Sequence, residues 1–317
     1  MTPEILITRP LPDKVITEAL TRFSLTLRED TFPMTPTQCI EALQGYDAVL
    51  PTLGDPFTAD VFAAAHAPRC QLLANFGVGY DHIDVGAAHA AGIAVSNTPG
   101  AVTDATADIA LTLMLMTARR AGEGERLVRA GLWQGWHPTQ MLGMHLSGKS
   151  LGIVGMGRIG KAIGRRAHFG FGMDIRFCNR SAVADPGLPA RQVELAEALG
   201  ADVVVIAMPG GPATRHLINA ETLSLMQSHA LLVNIARGDI VEEAALVAAL
   251  RAGQIAGAGL DVYEFEPKVA PDLIAMENVT LLPHLGTAAL EVREQMGLMA
   301  LDNLKAFFDG LPLPNPV

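Results

Sequence analysis

The run Leu151-Gly152-Ile153-Val154-Gly155-Met156-Gly157-Arg158-Ile159-Gly160 constrains the fold more than any other stretch of this chain. Its apolar start reads as a buried strand, its glycines as a tight turn, and the residues up to about Phe169 as a helix. A G-x-G-x-x-G spacing arises easily by chance among 31 glycines. The context carries the meaning: an apolar strand directly before the turn and a helix directly after it. There each glycine has a physical task. Gly155 permits the turn, Gly157 lets the backbone approach a pyrophosphate, and Gly160 lets the helix lie close to the strand. Arg158 and Ile159 open the helix with N–H groups that lack helical partners, and the helix dipole favours an anion beside them. The competing reading is a glycine turn required by packing alone.

A turn of this kind belongs to a parallel sheet, and the chain supplies the strands. Ile5 to Thr8, Ala48 to Leu50, Gln71 to Ala74, Ile175 to Cys178, Val203 to Ile206, Leu231 to Asn234, Gly257 to Val262 and Val279 to Leu282 are short apolar runs with helical patterns between them. Half of the residues are hydrophobic but only 5% are aromatic. The apolar mass is therefore aliphatic, which suits parallel strands covered on both faces. The expected class is α/β, with two Rossmann-like doubly wound parallel-sheet domains. Residues 1–98 form the smaller unit, and residues 99–286 form a dinucleotide-binding domain with five or six strands. An amphipathic helix from about Leu290 to Phe308 packs back on the first unit. The first domain is then discontinuous, 1–98 plus 287–317, with the cofactor domain inserted. Asp104 to Arg120 reads as a long, largely apolar helix buried between layers. Residues 121–148, with Trp133 and Trp136, read as an irregular region.

The formal net charge is −10, and no run of Lys or Arg occurs. That balance argues against nucleic acid or an anionic membrane as partner and leaves room for a small anion met by a few local cations. Cys39, Cys70 and Cys178 are scattered, without a C-x-x-C pair, so free thiols are expected rather than a disulfide framework or a zinc site. No basic start with an apolar signal core precedes Pro12, and no stretch approaches ~18 uninterrupted apolar residues. A cytoplasmic protein, neither spanning nor binding a membrane, is expected.

The tip of the second strand reports on the ribose of a bound dinucleotide. An NAD site carries an acidic residue ~20 positions after the glycine turn, where it accepts from the 2′-hydroxyl. Here the tip reads Asn179-Arg180-Ser181. A carboxylate there would repel a 2′-phosphate, whereas Arg180 and the Ser181 hydroxyl suit one. NADP(H) is the preferred cofactor on this reading, with NAD(H) left open and a solvent-facing Arg180 as the competing view.

Five ordered motifs complete the reading: Asn75-Phe76-Gly77-Val78-Gly79-Tyr80-Asp81, the glycine turn, Asn234-Ile235-Ala236-Arg237-Gly238, Asp261-Val262-Tyr263-Glu264-Phe265-Glu266-Pro267 and Leu282-Pro283-His284-Leu285-Gly286. Over essentially the full chain the sequence resembles the D-isomer-specific 2-hydroxyacid dehydrogenase family. Val102 to Asp108 resembles the glyoxylate and hydroxypyruvate reductase branch of it. The resemblance implies reduction of a small 2-keto acid to its D-2-hydroxy acid by hydride transfer, with Arg237, Glu266 and His284 as catalytic set. Chemistry supports those roles independently. Arg237 offers a fork of donors to the substrate carboxylate. His284 can give and retake a proton near neutral pH, and Glu266 would stabilise its imidazolium. No metal is needed.

The resemblance also implies that the N–H groups of Val78 and Gly79 bind the carboxylate. Leu53, Phe76 and Trp136 would limit substrate size, and Asp261 would contact the nicotinamide carboxamide. Pro209, Thr214, Thr106, Ala236 and Gly286 are further cofactor contacts implied by it, and the irregular segment holding Trp133 and Trp136 implies a homodimer. His66, His82, His89, His137, His145, His168, His216 and His229 are read as structural or surface residues. Two alternatives stay open: a larger 2-keto acid such as 2-ketogluconate or phenylpyruvate, or a non-enzymatic nucleotide-sensing protein resembling a corepressor.

Overall fold

The computed structural model describes residues 2–317. They divide into two compact units, residues 2–102 with Thr287–Val317, and Thr103–Gly286. The division thus falls after Val102, a few residues later than the expected boundary after Thr98, because Thr103 already belongs to the helix Thr103–Ala118.

The first unit is a five-stranded parallel sheet of β1 (Glu4–Ile7), β2 (Ser24–Leu27), β3 (Ala48–Leu50), β4 (Leu72–Ala74) and β5 (Ala94–Ser96), in the order β2-β1-β3-β4-β5. Strands β3 and β4 are wholly apolar and buried, as expected of parallel strands covered on both faces. Helices Asp13–Arg22 and Leu290–Phe308 pack together on one face. Gly297 makes that contact possible, since a Cβ there would stand 2.5 Å from Val15 Cγ2. Strands β2 and β5 were missing from the sequence expectation. β2 lies at the sheet edge with three of its four residues exposed, and β5, Ala94-Val95-Ser96 at the other edge, holds a single large apolar residue, so neither carries a readable apolar pattern.

The second unit holds seven parallel strands: β6 (Ser150–Val154), β7 (Asp174–Cys178), β8 (Arg191–Gln192), β9 (Val203–Ile206), β10 (Leu231–Asn234), β11 (Gly257–Leu260) and β12 (Val279–Leu281). Their order is β12-β11-β10-β9-β6-β7-β8. Five or six were expected. The additional one, β8, is a two-residue exposed edge pairing with no hydrophobic signal. The order changes direction between β6 and β9, which is where open α/β sheets bind ligands at the C-terminal strand ends. Helix Thr103–Ala118 buries Ala107, Ala110, Leu113 and Met114 against β10, β11 and helix Arg158–Phe171. It ends two residues before the expected Arg120, which instead adopts a left-handed conformation with φ 53° and starts a helix over Ala121–Arg129. Among the described residues, no helix is long and apolar enough to cross a membrane.

Asp202 ties the N-terminal ends of β6 and the strands beside it. Its Oδ2 accepts from the Ser150 amide at 2.8 Å and the Ser150 hydroxyl at 2.7 Å, and its Oδ1 lies 2.8 Å from His229 Nε2. Burial raises this carboxyl, but Ser150, His229 and Lys149 outweigh burial and bring its pKa down to about 2. A carboxylate depressed in the folded state stabilises above its unfolded value of ~3.9, and that stability is lost as the pH falls toward the folded value. Asp202→Asn should therefore cost about 2 kcal/mol at pH 7. Urea unfolding of both proteins should show that difference shrinking between pH ~4 and ~2. A difference independent of pH would show that the carboxylate charge is not what stabilises this corner.

Candidate active site

The glycine turn leaves β6 as the sequence predicts. Gly155 has φ +104°, and a Cβ on it would meet Ala207 backbone atoms at 2.8 Å. A Cβ on Gly160 would stand 2.1 Å from the Gly155 carbonyl oxygen, so only glycine lets helix Arg158–Phe171 come this close. Gly157 differs: nothing lies within 4 Å of where its Cβ would be, and the space beside it is open. The helix has no side-chain cap and no acidic residue in its first turn. Its first N–H groups, at Arg158 and Ile159, therefore face that space without a helical partner. An open cradle, close backbone and uncapped helix fit a dinucleotide pyrophosphate.

At the tip of β7, Asn179 accepts from the Met156 amide at 3.2 Å and donates to the Ser181 carbonyl at 3.0 Å. It joins the strand tip to the turn. Arg180 and Ser181 are exposed, and no carboxylate is hydrogen-bonded to the Arg180 guanidinium among the described residues. In the loop after β9, Thr214 Oγ1 donates to the carbonyls of Pro209 and Gly211, both at 3.1 Å, which closes the loop on itself.

Arg237, Glu266 and His284 follow β10, β11 and β12, three adjacent parallel strands. Their chain is held mainly through the backbone. Asn234 accepts from the Ala236 amide at 3.0 Å and donates to the Arg237 carbonyl at 2.8 Å, shaping the turn that presents Arg237. Gly210 makes room for the arginine stem, since a Cβ there would stand 2.7 Å from Arg237 Cγ. Glu266 Oε1 accepts from the Tyr263 amide at 3.0 Å, while Oε2 lies 3.0 Å from His284 Nδ1. The two side chains are about one-third exposed, 33% for Glu266 and 31% for His284. Burial raises the Glu266 carboxyl, but the hydrogen bond and charge of His284, the Tyr263 amide and the charge of Arg237 together hold it below its ordinary value. An ionised carboxylate only accepts, so Nδ1 carries the hydrogen on this assignment. Nε2 makes no hydrogen bond among the described residues.

Asp261 anchors the histidine turn. Its carbonyl accepts from the His284 amide at 3.0 Å, Oδ1 from Leu285 at 2.7 Å and Oδ2 from Gly286 at 2.8 Å. Thr106 Oγ1 adds a bond to the Gly286 carbonyl at 3.1 Å. His284 is thereby kept at φ 53°, a conformation uncommon outside glycine. Burial raises the Asp261 carboxyl, against these amide bonds and the charge of His284.

In the first unit, the loop Phe76–Gly79 follows β4 and is partly exposed. The amides of Val78 and Gly79 donate to nothing among the described residues. Leu53 lies in the turn after β3, where its carbonyl accepts from Arg9 at 2.8 Å.

The sequence reading did not single out Asn75, Asn97, Gly210 or Tyr263. It also left His216 as a bystander. His216 Nε2 lies 2.7 Å from Glu264 Oε1, and the Glu264 side chain is only 6% exposed. Glu264 and Glu243 exchange backbone-to-carboxylate bonds at 3.1 and 2.9 Å, which fastens the Glu266 loop to helix Glu243–Arg251. Only Glu264, two residues before Glu266 in a quoted motif, carried any signal of this. A cavity of about 680 Å³ in the second unit lies elsewhere, at the N-terminal ends of the strands beside Lys149, Leu231, Gly257 and Val279. Trp133 and Trp136 are 53% and 79% exposed.

Replacing Asp261 by Asn leaves one of the Leu285 and Gly286 amides facing an NH₂ group, at a cost of ~1–3 kcal/mol. Urea unfolding should read that loss, and hydrogen exchange should quicken at Leu285 and Gly286. Unchanged exchange there would refute the anchoring role.

Comparison with known proteins identifies the family. Residues 111–286 match the family model described as D-isomer specific 2-hydroxyacid dehydrogenase, NAD binding domain. A glyoxylate reductase of Thermococcus onnurineus is 43% identical, over 98% of this chain and 94% of the relative. A glycerate dehydrogenase of Hyphomicrobium methylovorum is 37% identical, over 97% and 96%. Among solved structures, an NADPH-dependent glyoxylate/hydroxypyruvate reductase of Sinorhizobium meliloti in complex with NADP and malonate superposes with a TM-score of 0.87 at 35% identity, covering 100% of this chain and 97% of that one. By sequence and by fold, the chain belongs to the D-isomer specific 2-hydroxyacid dehydrogenase family, a family of nicotinamide-dependent enzymes.

Proposed function

We propose that this enzyme reduces a small 2-keto acid of the glyoxylate and hydroxypyruvate class to the D-2-hydroxy acid, with NADPH as the preferred reductant and His284 as proton donor. The observation that carries the reading is the His284–Glu266 pair at 3.0 Å, with Nε2 turned away from its carboxylate partner. The names of the relatives, glyoxylate reductase and glycerate dehydrogenase, support the substrate class.

When bound, the nicotinamide supplies the hydride. The residues of the chain supply the rest. Arg237 binds the substrate carboxylate as a cation. His284 delivers the Nε2 proton to the carbonyl oxygen, and Glu266, ionised and held by the Tyr263 amide, fixes the ring and stabilises its charged form. Asp261 keeps the histidine turn in place and is assigned, with Thr106, Ala236 and Gly286, to the nicotinamide side of the site. Gly155, Gly157, Arg158, Ile159 and Gly160 hold the pyrophosphate, and Pro209 and Thr214 border it. Asn179, Arg180 and Ser181 face the adenosine ribose, where an exposed guanidinium free of carboxylate hydrogen bonds favours a 2′-phosphate. In the first unit, Val78 and Gly79 are assigned as amide donors to a carboxylate, and Leu53 as a limit on substrate size. The exposed Leu132, Trp133, Trp136 and Leu142 support the reading of their segment as a contact between two copies of the chain.

General acid–base groups contribute roughly 10²–10⁴ in rate. His284→Ala should therefore lower kcat for glyoxylate by about that factor while NADPH still binds, as followed by NADPH fluorescence. Glu266→Gln should fall between that variant and the native enzyme. Native turnover in His284→Ala would remove the proton donor from this scheme.

Arg180→Ala should raise KM for NADPH about tenfold or more, the equivalent of ~1.4 kcal/mol, and leave KM for NADH nearly unchanged. Initial rates with both cofactors decide this, and a native preference for NADH would overturn the assignment.

A further inference from the structure

The loop Phe76–Gly79 is held by its carbonyls, and this determines where its amides point. A peptide unit is planar and trans, so its N–H points opposite to its C=O. The carbonyl of Gly77 shares a peptide unit with the amide of Val78, and the carbonyl of Val78 shares one with the amide of Gly79. Asn75 Nδ2 donates to the Gly77 carbonyl at 3.0 Å and to the Gly79 carbonyl at 2.9 Å. The Thr98 amide also donates to Gly77, at 3.1 Å. Asn97 Nδ2 donates to the Val78 carbonyl at 2.9 Å. These bonds fix the carbonyl side of both peptide units and turn the Val78 and Gly79 amides the opposite way, with no acceptor among the described residues.

Asn97 is itself braced within the same unit. Its amide donates to the Asn315 carbonyl at 3.1 Å, and its carbonyl accepts from Asn303 Nδ2 at 3.5 Å. Asn303, fully buried in helix Leu290–Phe308, accepts from the Asn315 amide at 3.0 Å. Residues 315–317 run along the outer edge of β5: Ser96 pairs with Pro316, and the Val317 amide donates to the Val95 carbonyl at 3.0 Å. Three asparagines thus connect the helix and the segment 315–317 to one carbonyl of the glycine loop.

We propose that Asn97 is a positioning residue for substrate-carboxylate binding, and that Asn303 and the segment 315–317 hold it in that role. Asn97 touches no substrate. It sets the direction of the Gly79 N–H by capturing the Val78 carbonyl, as Asn75 and Thr98 do for the Val78 N–H. The donors are then oriented before the anion arrives, and none of the binding energy goes to ordering them. The proposal rests on the assignment of Val78 and Gly79 as carboxylate donors.

The test compares Asn97→Asp, which opposes a carboxylate to the Val78 carbonyl, with Asn97→Ala, which removes the donor without adding charge. Initial rates with glyoxylate should show KM raised about tenfold in both. Meanwhile kcat and KM for NADPH should stay within about twofold, and thermal unfolding should confirm folded protein. A parallel variant, Val78→Pro, removes one assigned donor directly and should also raise KM. If Val78→Pro raises KM and the Asn97 variants do not, the brace is refuted and the carboxylate loop stands. If neither moves KM, the carboxylate loop itself fails and the proposal falls with it. If both Asn97 variants lose kcat, cofactor affinity and thermal stability together, Asn97 is an ordinary structural residue and the proposal is overturned.

Discussion

All seven strands of the second unit run parallel, so every loop leaving a C-terminal strand end emerges on the same edge of the sheet. Nothing else about the candidate site works without that constraint. Residues far apart in sequence, from the turn after β6 to the histidine after β12, come to one edge because their strands are neighbours in the order β12-β11-β10-β9-β6. Burial of aliphatic strands between helices enforces the arrangement, since an unpaired strand would leave backbone polar groups without partners.

The edge alone does not orient a side chain. In both units that work falls to short polar residues that are themselves buried and bonded to backbone. Asp261 gives three acceptors to the turn of His284, Asn234 closes the turn of Arg237, and Asn75 captures two carbonyls of the glycine loop. A buried polar group without a partner is costly, so these residues hold their loops in one geometry. The left-handed backbone of His284 persists because its surroundings over-determine it. Charge follows the same logic. Glu266 stays below its ordinary pKa because the His284 bond, the Tyr263 amide and Arg237 outweigh its burial.

The elements legible in the sequence were those with a strong local signature. Val203-Val204-Val205-Ile206 is uniformly apolar and forms a buried strand, and the pattern Leu290 to Phe308 matches the helix found there. Arg120 was read into the preceding helix because no local feature announces its left-handed φ. Strands β2 and β8 were missed for a shared reason: an edge strand is defined by its neighbour's hydrogen bonds, and exposed residues need no apolar pattern. The chemistry-bearing side chains Arg237, Glu266 and His284 stood out because their motifs are ordered and each follows a strand. The supporting residues Asn75, Asn97, Tyr263 and Gly210 did not, since each acts through a backbone group or a close approach that only the folded loops define.

The sequence by itself determined the class of fold, the glycine turn and the identity of the groups able to move a proton or bind an anion. Those follow from local physics: apolar periodicity, the backbone freedom of glycine, and the chemistry of each side chain. Only the tertiary structure decided that His284 faces Glu266 through Nδ1, that Asp261 anchors the turn carrying His284, and that Asn97 is reached from Asn303 and Asn315. Direction and distance between side chains depend on the register of strands and the packing of helices, and those are properties of the whole folded unit rather than of any segment.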